Sequence, residues 1–387
     1  MKVIFLSNYL THHQIPFSEE MYNMPNVDYY FVATSIMPDD RVTLGYTVYK
    51  SEDYPFLISY NNKNYEYIEK LIDDSDLVII GSAPYKLIKK RLKNNKLTFA
   101  YSERLFKNFK SFLSIMLKGN FLKLYYLPSK KSMTYMLCSS AFTASDLSKI
   151  CSYKNKVYKW GYFTEHISYN TEELMQKKKK DRIKILWAGR MLKWKHPEMA
   201  VKTAVRLKKD GYNFNLDIIG TGEEEYLIKK LIKQYNLDDC ITLLGAMSPK
   251  EVREHMENSN IFLVTSDFNE GWGAVLNESM NSGCAVIASH GIGSVPFLVK
   301  DGENGLIFRN RDINSLYKKV KYLFDNPTKI EELGNSAYKT INDQWNAKVA
   351  AERLIILAQQ LLVNKDYYGI KDGPCSKAYI LDNNWYR

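Results

Sequence analysis

Short apolar runs recur along the chain, each followed by a helical or loop pattern. In the first half they read "KVIFLSN", "VDYYFVAT", "DLVIIGS" and "KLTFAYSE". β-branched and aromatic residues fill them without polar alternation, as expected for strands of a parallel sheet buried on both faces. "KNKVYKWGYF" follows as a segment able to close this sheet. The second half is more regular: "RIKILWAGR", "FNLDIIGTG", "CITLLGAM", "IFLVTS", "AVIAS" and "GLIFR" read as strands. Amphipathic stretches lie between them. "HPEMAVKTAVRLKKDG" ends on Gly211, a natural C-cap. "EEEYLIKKLIKQYNL" carries acids in its first turn, where they complement the helix dipole. In "SPKEVREHMENS", Ser248 is the N-cap, Pro249 takes the first helical position and Glu251 completes a capping box. Beyond "GLIFR" the pattern is almost all helical, and the final residues carry no strong periodicity.

Alternating strands and helices predict an α/β fold, and 387 residues exceed one ordinary core. The expected organisation is two doubly wound, Rossmann-like domains at 1–165 and 183–345. A linker at 166–182 joins them, and a C-terminal helix and tail at 346–387 pack back on the first domain. The linker is placed at "NTEELMQKKKKDR", whose four consecutive lysines suggest a solvated connector. No apolar run approaches the ~18 residues of a membrane span. "MKVIFLSNYL" lacks a long apolar core and a cleavage site, and reads as the first strand rather than a signal peptide.

Composition refines this picture at three points. Apolar residues are 45% and charged residues 25%, an ordinary globular balance. The five cysteines are scattered without a CxxC pair, which argues against disulfides and zinc and for a reducing cytoplasm. The net charge of +11 is local: residues 86–131 hold thirteen Lys/Arg against one acid, Glu103. Within that segment, "RLFKNFKSFLSIMLKGNFLKLYYLPSKK" interleaves the cations with aromatic and aliphatic residues. Such a pattern suits an interfacial segment on anionic lipid. It also suits an ordinary amphipathic helix with a basic outer face. No nucleic-acid-binding motif accompanies the charge.

Three strand-to-helix loops carry candidate chemistry. In "WAGRMLKWKHPE", Arg190 and Lys195 flank a loop that enters a helix. A planar fork, a point charge and helix-start N–H groups together suit a diphosphate. Two solvated surface cations would read the same way. In "IIGTGEEE", Gly220 and Gly222 either permit a tight turn or let a ligand approach; neither the full dinucleotide fingerprint nor a P-loop lysine is present. In "DFNEGWGAVLNE", Gly271 and Gly273 open the backbone to a ligand, and a helix beginning near Ala274 offers an anion cradle. Glu270 and Glu278 stand eight positions apart around it. With a diphosphate in the cradle, Glu270 must face something neutral and hydroxyl-rich, such as a sugar. Glu278, a turn deeper, suits a ribose diol. One ligand then satisfies both acids and the cradle: a nucleotide diphosphate sugar. The alternative is a surface Glu and a helix-face Glu in ordinary ion pairs.

The series "GRMLKWK", "IIGTGEEE", "LLGAMSPKEV", "EGWGAVLNE", "MNSGCAVIAS" and "VKDGENGLIF" stands in one order from Arg182 to about Trp345. In this it resembles the retaining GT-B glycosyltransferases of the group 1, or family 4, class. The resemblance implies a GT-B fold whose two domains face a cleft, and a retaining, metal-independent hexosyltransferase. It implies that Arg190 and Lys195 hold the donor diphosphate as leaving group. Glu270 would contact the transferred sugar, with Gly271, Trp272 and Gly273 lining the same pocket. Glu278 would bind the ribose. No cofactor beyond the donor and no metal is implied, and "DSD" at Asp74–Asp76 precedes a strand and reads as a solvated turn. Phe297 stands where the family often has Glu, and the first loop is "SNYLTHHQIPF" rather than glycine-rich. "SNYLTHHQ" is similar to a subset of polysaccharide-assembly transferases, which points His12 or His13 at the cleft. Glu103 stands near where many members carry a His. The partners implied are a nucleotide sugar, a saccharide or polyprenyl-linked saccharide acceptor, and an anionic membrane surface met by residues 86–131. Nucleic acid is not among them. The implied place is the cytoplasm, peripheral on the inner face of a bacterial membrane, in capsule, O-antigen or exopolysaccharide synthesis. Rival readings are a soluble sucrose- or glycogen-type transferase, and a catalytically inactive GT-B binding subunit.

Overall fold

The computed structural model describes residues 1–39, 42, 47–61, 64–107, 133–364 and 369–387. The chain divides into two compact units. The first comprises Met1–Glu165 with Asn346–Asp382, the second His166–Trp345 with Asn383–Arg387.

The first unit is built on a seven-stranded parallel sheet in the order β3-β2-β1-β4-β5-β6-β7. Its strands are β1 Lys2–Ser7, β2 Asp28–Ala33, β3 Leu57–Ser59, β4 Leu77–Ile80, β5 Thr98–Ser102, β6 Thr134–Cys138 and β7 Val157–Lys159. Strand order reverses between β1 and β4, which pair in parallel with Val3 opposite Leu77. The continuous apolar runs end up where the pattern demands, with Ile4, Leu6, Val78 and Ile79 wholly buried. Two strands go beyond the sequence expectation. β3 is a three-residue edge, and β6, "TYMLC", is buried along its length. The helix Ala347–Asn364 belongs to this unit and packs on the helix Ile15–Asn23. The aperiodic stretch after it is tied to β7 through its backbone, with Cys375 N donating to Lys159 O and Lys159 N to Ser376 O.

Part of the basic segment 86–131 is internal. Arg91 is fully buried and donates to the carbonyls of Ile72, Ser75, Asp76 and Leu97. Arg104 is 6% exposed beside Asp146. These two guanidinium groups pin strand ends and do not face solvent, because their donors match the bare carbonyls and carboxylate around them. Residues 108–132, which carry most of the expected membrane-facing stretch, lie outside the described residues. Among the described residues, no helix is long and apolar enough to cross a membrane.

The second unit holds six parallel strands in the order β10-β9-β8-β11-β12-β13. They are β8 Ile183–Ala188, β9 Phe214–Ile219, β10 Ile241–Gly245, β11 Ile261–Val264, β12 Ala285–Ser289 and β13 Leu306–Phe308. Order reverses between β8 and β11, the kind of switch point at which open α/β sheets bind ligands. The Ser248–Glu251 capping box forms in full, and all five cysteines are free thiols.

Two boundary expectations are corrected. Residues 166–182 belong to the second unit and contain a helix, Thr171–Lys178, capped by the Asn170 side chain. Leu174 and Met175 are buried there, and Lys178 is 4% exposed. The Lys178 ammonium donates to Met256 O and Ser259 O, both at 2.8 Å. A lysine stem can be buried when carbonyls at a helix end take its charge, so Lys178 anchors a run whose other three lysines are exposed. The tail also does not stay with one unit. Trp385 Nε1 donates to His290 O and the Tyr386 hydroxyl to Ile307 O, which places the last five residues in the second unit.

Candidate functional site

In the second unit the candidate groups follow the carboxyl ends of β8 and β11, on either side of the strand-order reversal. The β8 loop runs through Gly189 and Arg190, forms a short 3-10 turn at Lys193–Lys195, and ends at His196 in the left-handed region (φ +52°). The β11 loop runs from Thr265 to Gly273, where the helix Ala274–Asn281 begins. Two bonds join the two loops behind the reactive groups, and a third ties the β11 loop to strand β8. Asp267 N donates to Trp194 O at 2.9 Å. The Thr265 hydroxyl donates to Lys195 O at 2.7 Å and accepts from Trp187 Nε1 at 2.8 Å.

This lattice brings Lys195 and Glu270 together. Lys195 Nζ is 2.5 Å from Glu270 Oε2, with side-chain exposures of 17% and 11%. Glu270 Oε2 also accepts from the Ser266 hydroxyl at 3.0 Å. A charge this buried is costly if unpaired, and each group compensates the other. Arg190 is exposed at the start of its loop. Glu278 is half-buried in the second turn of the helix. Gly273 caps that helix at φ +85°, and a Cβ there would lie 3.3 Å from Glu270 Cγ, so glycine both permits the turn and leaves room for the carboxylate. Gly271 is buried in the same turn.

Beside this pair sits a second charged cluster. His196 Nε2 is 3.3 Å from Asp267 Oδ2, and its Nδ1 is 3.1 Å from Glu198 Oε1. Arg311, from the loop after β13, also bonds Asp267. The bonds to Asp267 and Glu198 push His196 up to about 9. Burial opposes ionisation of Asp267, but bonds from His196, Asn269 and Arg311 override it and hold the carboxyl well below the usual range.

Two sequence expectations meet the packing here. A Cβ on Gly220 would stand 2.0 Å from Gly189 O and one on Gly222 2.6 Å from Met191 O. Their bareness lets the β9 loop pack against the loop that carries Arg190, as the tight-turn reading expects. Trp272 does not line a pocket with its side chain. It is 1% exposed, donates from Nε1 to Asn277, and packs with Phe297 and Trp345. The Phe297 and Trp345 rings stack at 5.9 Å. Phe297, the departure from the family's usual Glu, thus completes an aromatic core behind the Glu270 turn.

In the first unit, the groups after β1, β5 and β7 also meet. His12 and His13 rings are 3.8 Å apart, and His13 stacks on Tyr162 at 5.7 Å. The Tyr162 hydroxyl donates to Glu103, whose other oxygen is 3.6 Å from Lys107 Nζ. Burial, helped by His12, pushes His13 down to about 3, so its ring is neutral at ordinary pH. Burial, with Tyr101 and Glu103 nearby, pushes Tyr162 well up. His13 Nδ1 is buried without a hydrogen-bond partner among the described residues.

The family model of glycosyl transferases group 1 matches residues 170–340. These residues form a group 1 glycosyl transferase domain. An uncharacterized glycosyltransferase of Methanocaldococcus jannaschii is 26% identical over 50% of this chain and 50% of its own length. The amylovoran biosynthesis glycosyltransferase AmsK of Erwinia amylovora is 25% identical over 46% of this chain and 45% of its own. The chain therefore spans about half the length of the curated relatives it matches. The solved structure of Anabaena HepE in complex with UDP covers 93% of this chain and 100% of its own, with a TM-score of 0.67 and 12% identity. At that identity the likeness speaks to the fold, which is GT-B.

Within the group 1 domain, the sequence led to Lys195, Glu270 and Glu278 but passed over His196, Asp267 and Arg311. Asp267 lay in the quoted loop without being weighed. His196 was one scattered histidine, and nothing in the sequence marks Arg311, which lies 115 positions from His196.

Proposed function

We propose that the chain is a retaining glycosyltransferase that uses a nucleotide diphosphate sugar without a bound metal. The observation that carries the reading is the Lys195–Glu270 pair, set between two cross-linked loops at the start of the helix Ala274–Asn281. A cation and a carboxylate held side by side offer one group to a diphosphate and the other to the hydroxyls of the attached sugar. On donor binding, Lys195 turns to the diphosphate with Arg190 and the helix-start N–H groups, and Glu270 takes the sugar hydroxyls. Glu278 accepts from the ribose diol.

In the reaction the bond from the anomeric carbon to the phosphate oxygen breaks through an oxocarbenium-like state. The leaving diphosphate carries its negative charge to Lys195 and Arg190. The acceptor hydroxyl attacks the same face, and its proton passes to the departing phosphate oxygen. The protein supplies charge stabilisation and orientation and forms no covalent sugar adduct. For the acceptor, the neutral rings of His13 and Tyr162, with the Glu103 carboxylate, suit a saccharide hydroxyl. A saccharide or polyprenyl-linked saccharide at the inner face of a bacterial membrane, met by the basic segment 86–131, fits the charge distribution. The polysaccharide-biosynthesis name of the Erwinia relative supports a pathway of that kind.

A thermal-shift panel of nucleotide diphosphate sugars tests the reading. A donor at 100 times its Kd should raise stability by about 2.7 kcal/mol. A panel in which no nucleotide sugar moves the transition would defeat it.

A further inference from the structure

Asp267, His196 and Arg311 have no role in the chemistry above, yet three loops converge on them. Asp267 is 1% exposed. Its Oδ1 accepts from Asn269 N at 2.9 Å and Asn269 Nδ2 at 2.8 Å, and its carbonyl accepts from Glu270 N at 3.0 Å. Asp267 therefore shapes the turn that aims Glu270. His196 is the residue after Lys195, and its left-handed backbone sets where the β8 loop stops. Arg311 reaches Asp267 from the third loop, after β13. A one-residue slip between the β8 and β11 loops would part Lys195 from Glu270, and the bond across His196 and Asp267 resists that slip.

We propose that the His196–Asp267 contact, braced by Arg311, is a positioning device that holds the β8 and β11 loops in the one register where Lys195 and Glu270 serve a single donor. The assignment of Lys195 and Glu270 to a donor rests on the function proposed above; the coupling of the two loops does not. His196 faces Glu198 at the start of its own helix, Asp267 from the β11 loop and Arg311 from the β13 loop, with Lys195 and Glu270 adjacent. The two carboxylates favour the protonated ring, while Arg311 Nε, 3.2 Å from the same Nε2, competes with Asp267 for that nitrogen. A histidine raised to about 9 contributes in full below its unfolded value near 6.5 and loses that contribution as pH rises through about 9. The contact is therefore strongest at neutral pH and below and weakens in alkali.

The test is amide hydrogen exchange across residues 265–273 of the ligand-free full chain, in the native protein and in His196→Asn. Asparagine tolerates the left-handed backbone and removes the charge. A cooperative melt of the variant is the check that it folds. At pH 7 the variant should exchange at least tenfold faster in this loop. Native protection, corrected for intrinsic rates, should fall across pH 9 in the native protein only. The nucleoside diphosphate that most stabilises the native protein, among UDP, GDP, dTDP and ADP, should bind the variant about tenfold more weakly. In turnover the loss should appear in kcat as well as donor KM, because the two positioned groups act in the transition state. Equal protection in both proteins at pH 7, or native protection indifferent to pH 9, overturns the proposal. A responsive loop in a native protein that binds no nucleotide overturns the donor assignment while upholding the coupling.

Discussion

Both units place their candidate groups after the carboxyl ends of parallel strands, but they furnish those ends differently. In the second unit the groups are ionised and paired: Lys195 with Glu270, and His196 and Arg311 with Asp267. In the first they are mostly neutral rings, His12, His13 and Tyr162, around the single carboxylate of Glu103. One scaffold thus carries two electrostatic strategies. A ligand with a diphosphate requires fixed positive charge, and a buried cation is held against a carboxylate of its own. A neutral hydroxylated ligand needs apolar ring faces and hydrogen-bonding atoms, and little charge.

The largest expected effect is on the support behind the charged end. Trp272→Ala removes a fully buried indole packed on Phe297 and Trp345, and should cost about 3–5 kcal/mol of stability in the second unit. Urea unfolding followed separately in the two units should show a lower midpoint in the second and an unchanged one in the first. A shift of both by the same amount would mean that the units unfold as one, and the contrast drawn above would lose its physical basis.

Next in size is the charge itself. Lys195→Ala should lower the transfer rate by about 10²–10³, roughly 3–4 kcal/mol of transition-state stabilisation. Glu270 keeps its bond from Ser266 in that variant but loses its compensating charge, so stability should fall as well as turnover. Steady-state kinetics beside a thermal melt would separate the two. A variant with native kcat would remove Lys195 from the chemistry.

The charged end was also the more legible in sequence, for a physical reason. A strand, a glycine-bearing turn and a helix start are local features, so "WAGRMLKWK" and "EGWGAVLNE" announce themselves within a dozen residues. The capping box at Ser248 was legible on the same ground. What escaped notice depends on distant partners. The His196–Asp267 contact spans 71 positions and the Arg311–Asp267 contact 44. Lys178 looked solvated because its acceptors, Met256 O and Ser259 O, lie some 80 positions away. Trp272, flanked by glycines in a loop, read as lining the sugar pocket, and only the meeting of Phe297 and Trp345 makes it core. β6 was hidden because it follows a basic stretch that commanded a different reading.

The smallest expected effect probes the neutral end. Tyr162→Phe keeps the ring that stacks on His13 and deletes only the hydroxyl, which bonds both Glu103 and Tyr101. The Glu103 side chain is 32% exposed and retains Lys107 at 3.6 Å, so the loss of stability should be about 1 kcal/mol or less. Donor-induced thermal shifts should be native, because nothing in the second unit is touched. Acceptor KM should rise by about tenfold, the worth of one hydrogen bond to a charged group. The ratio of the two responses is what matters. An acceptor KM that holds while the donor shift shrinks would place the Tyr162 hydroxyl in the service of the donor, and the division of labour between charged and neutral ends would have to be abandoned.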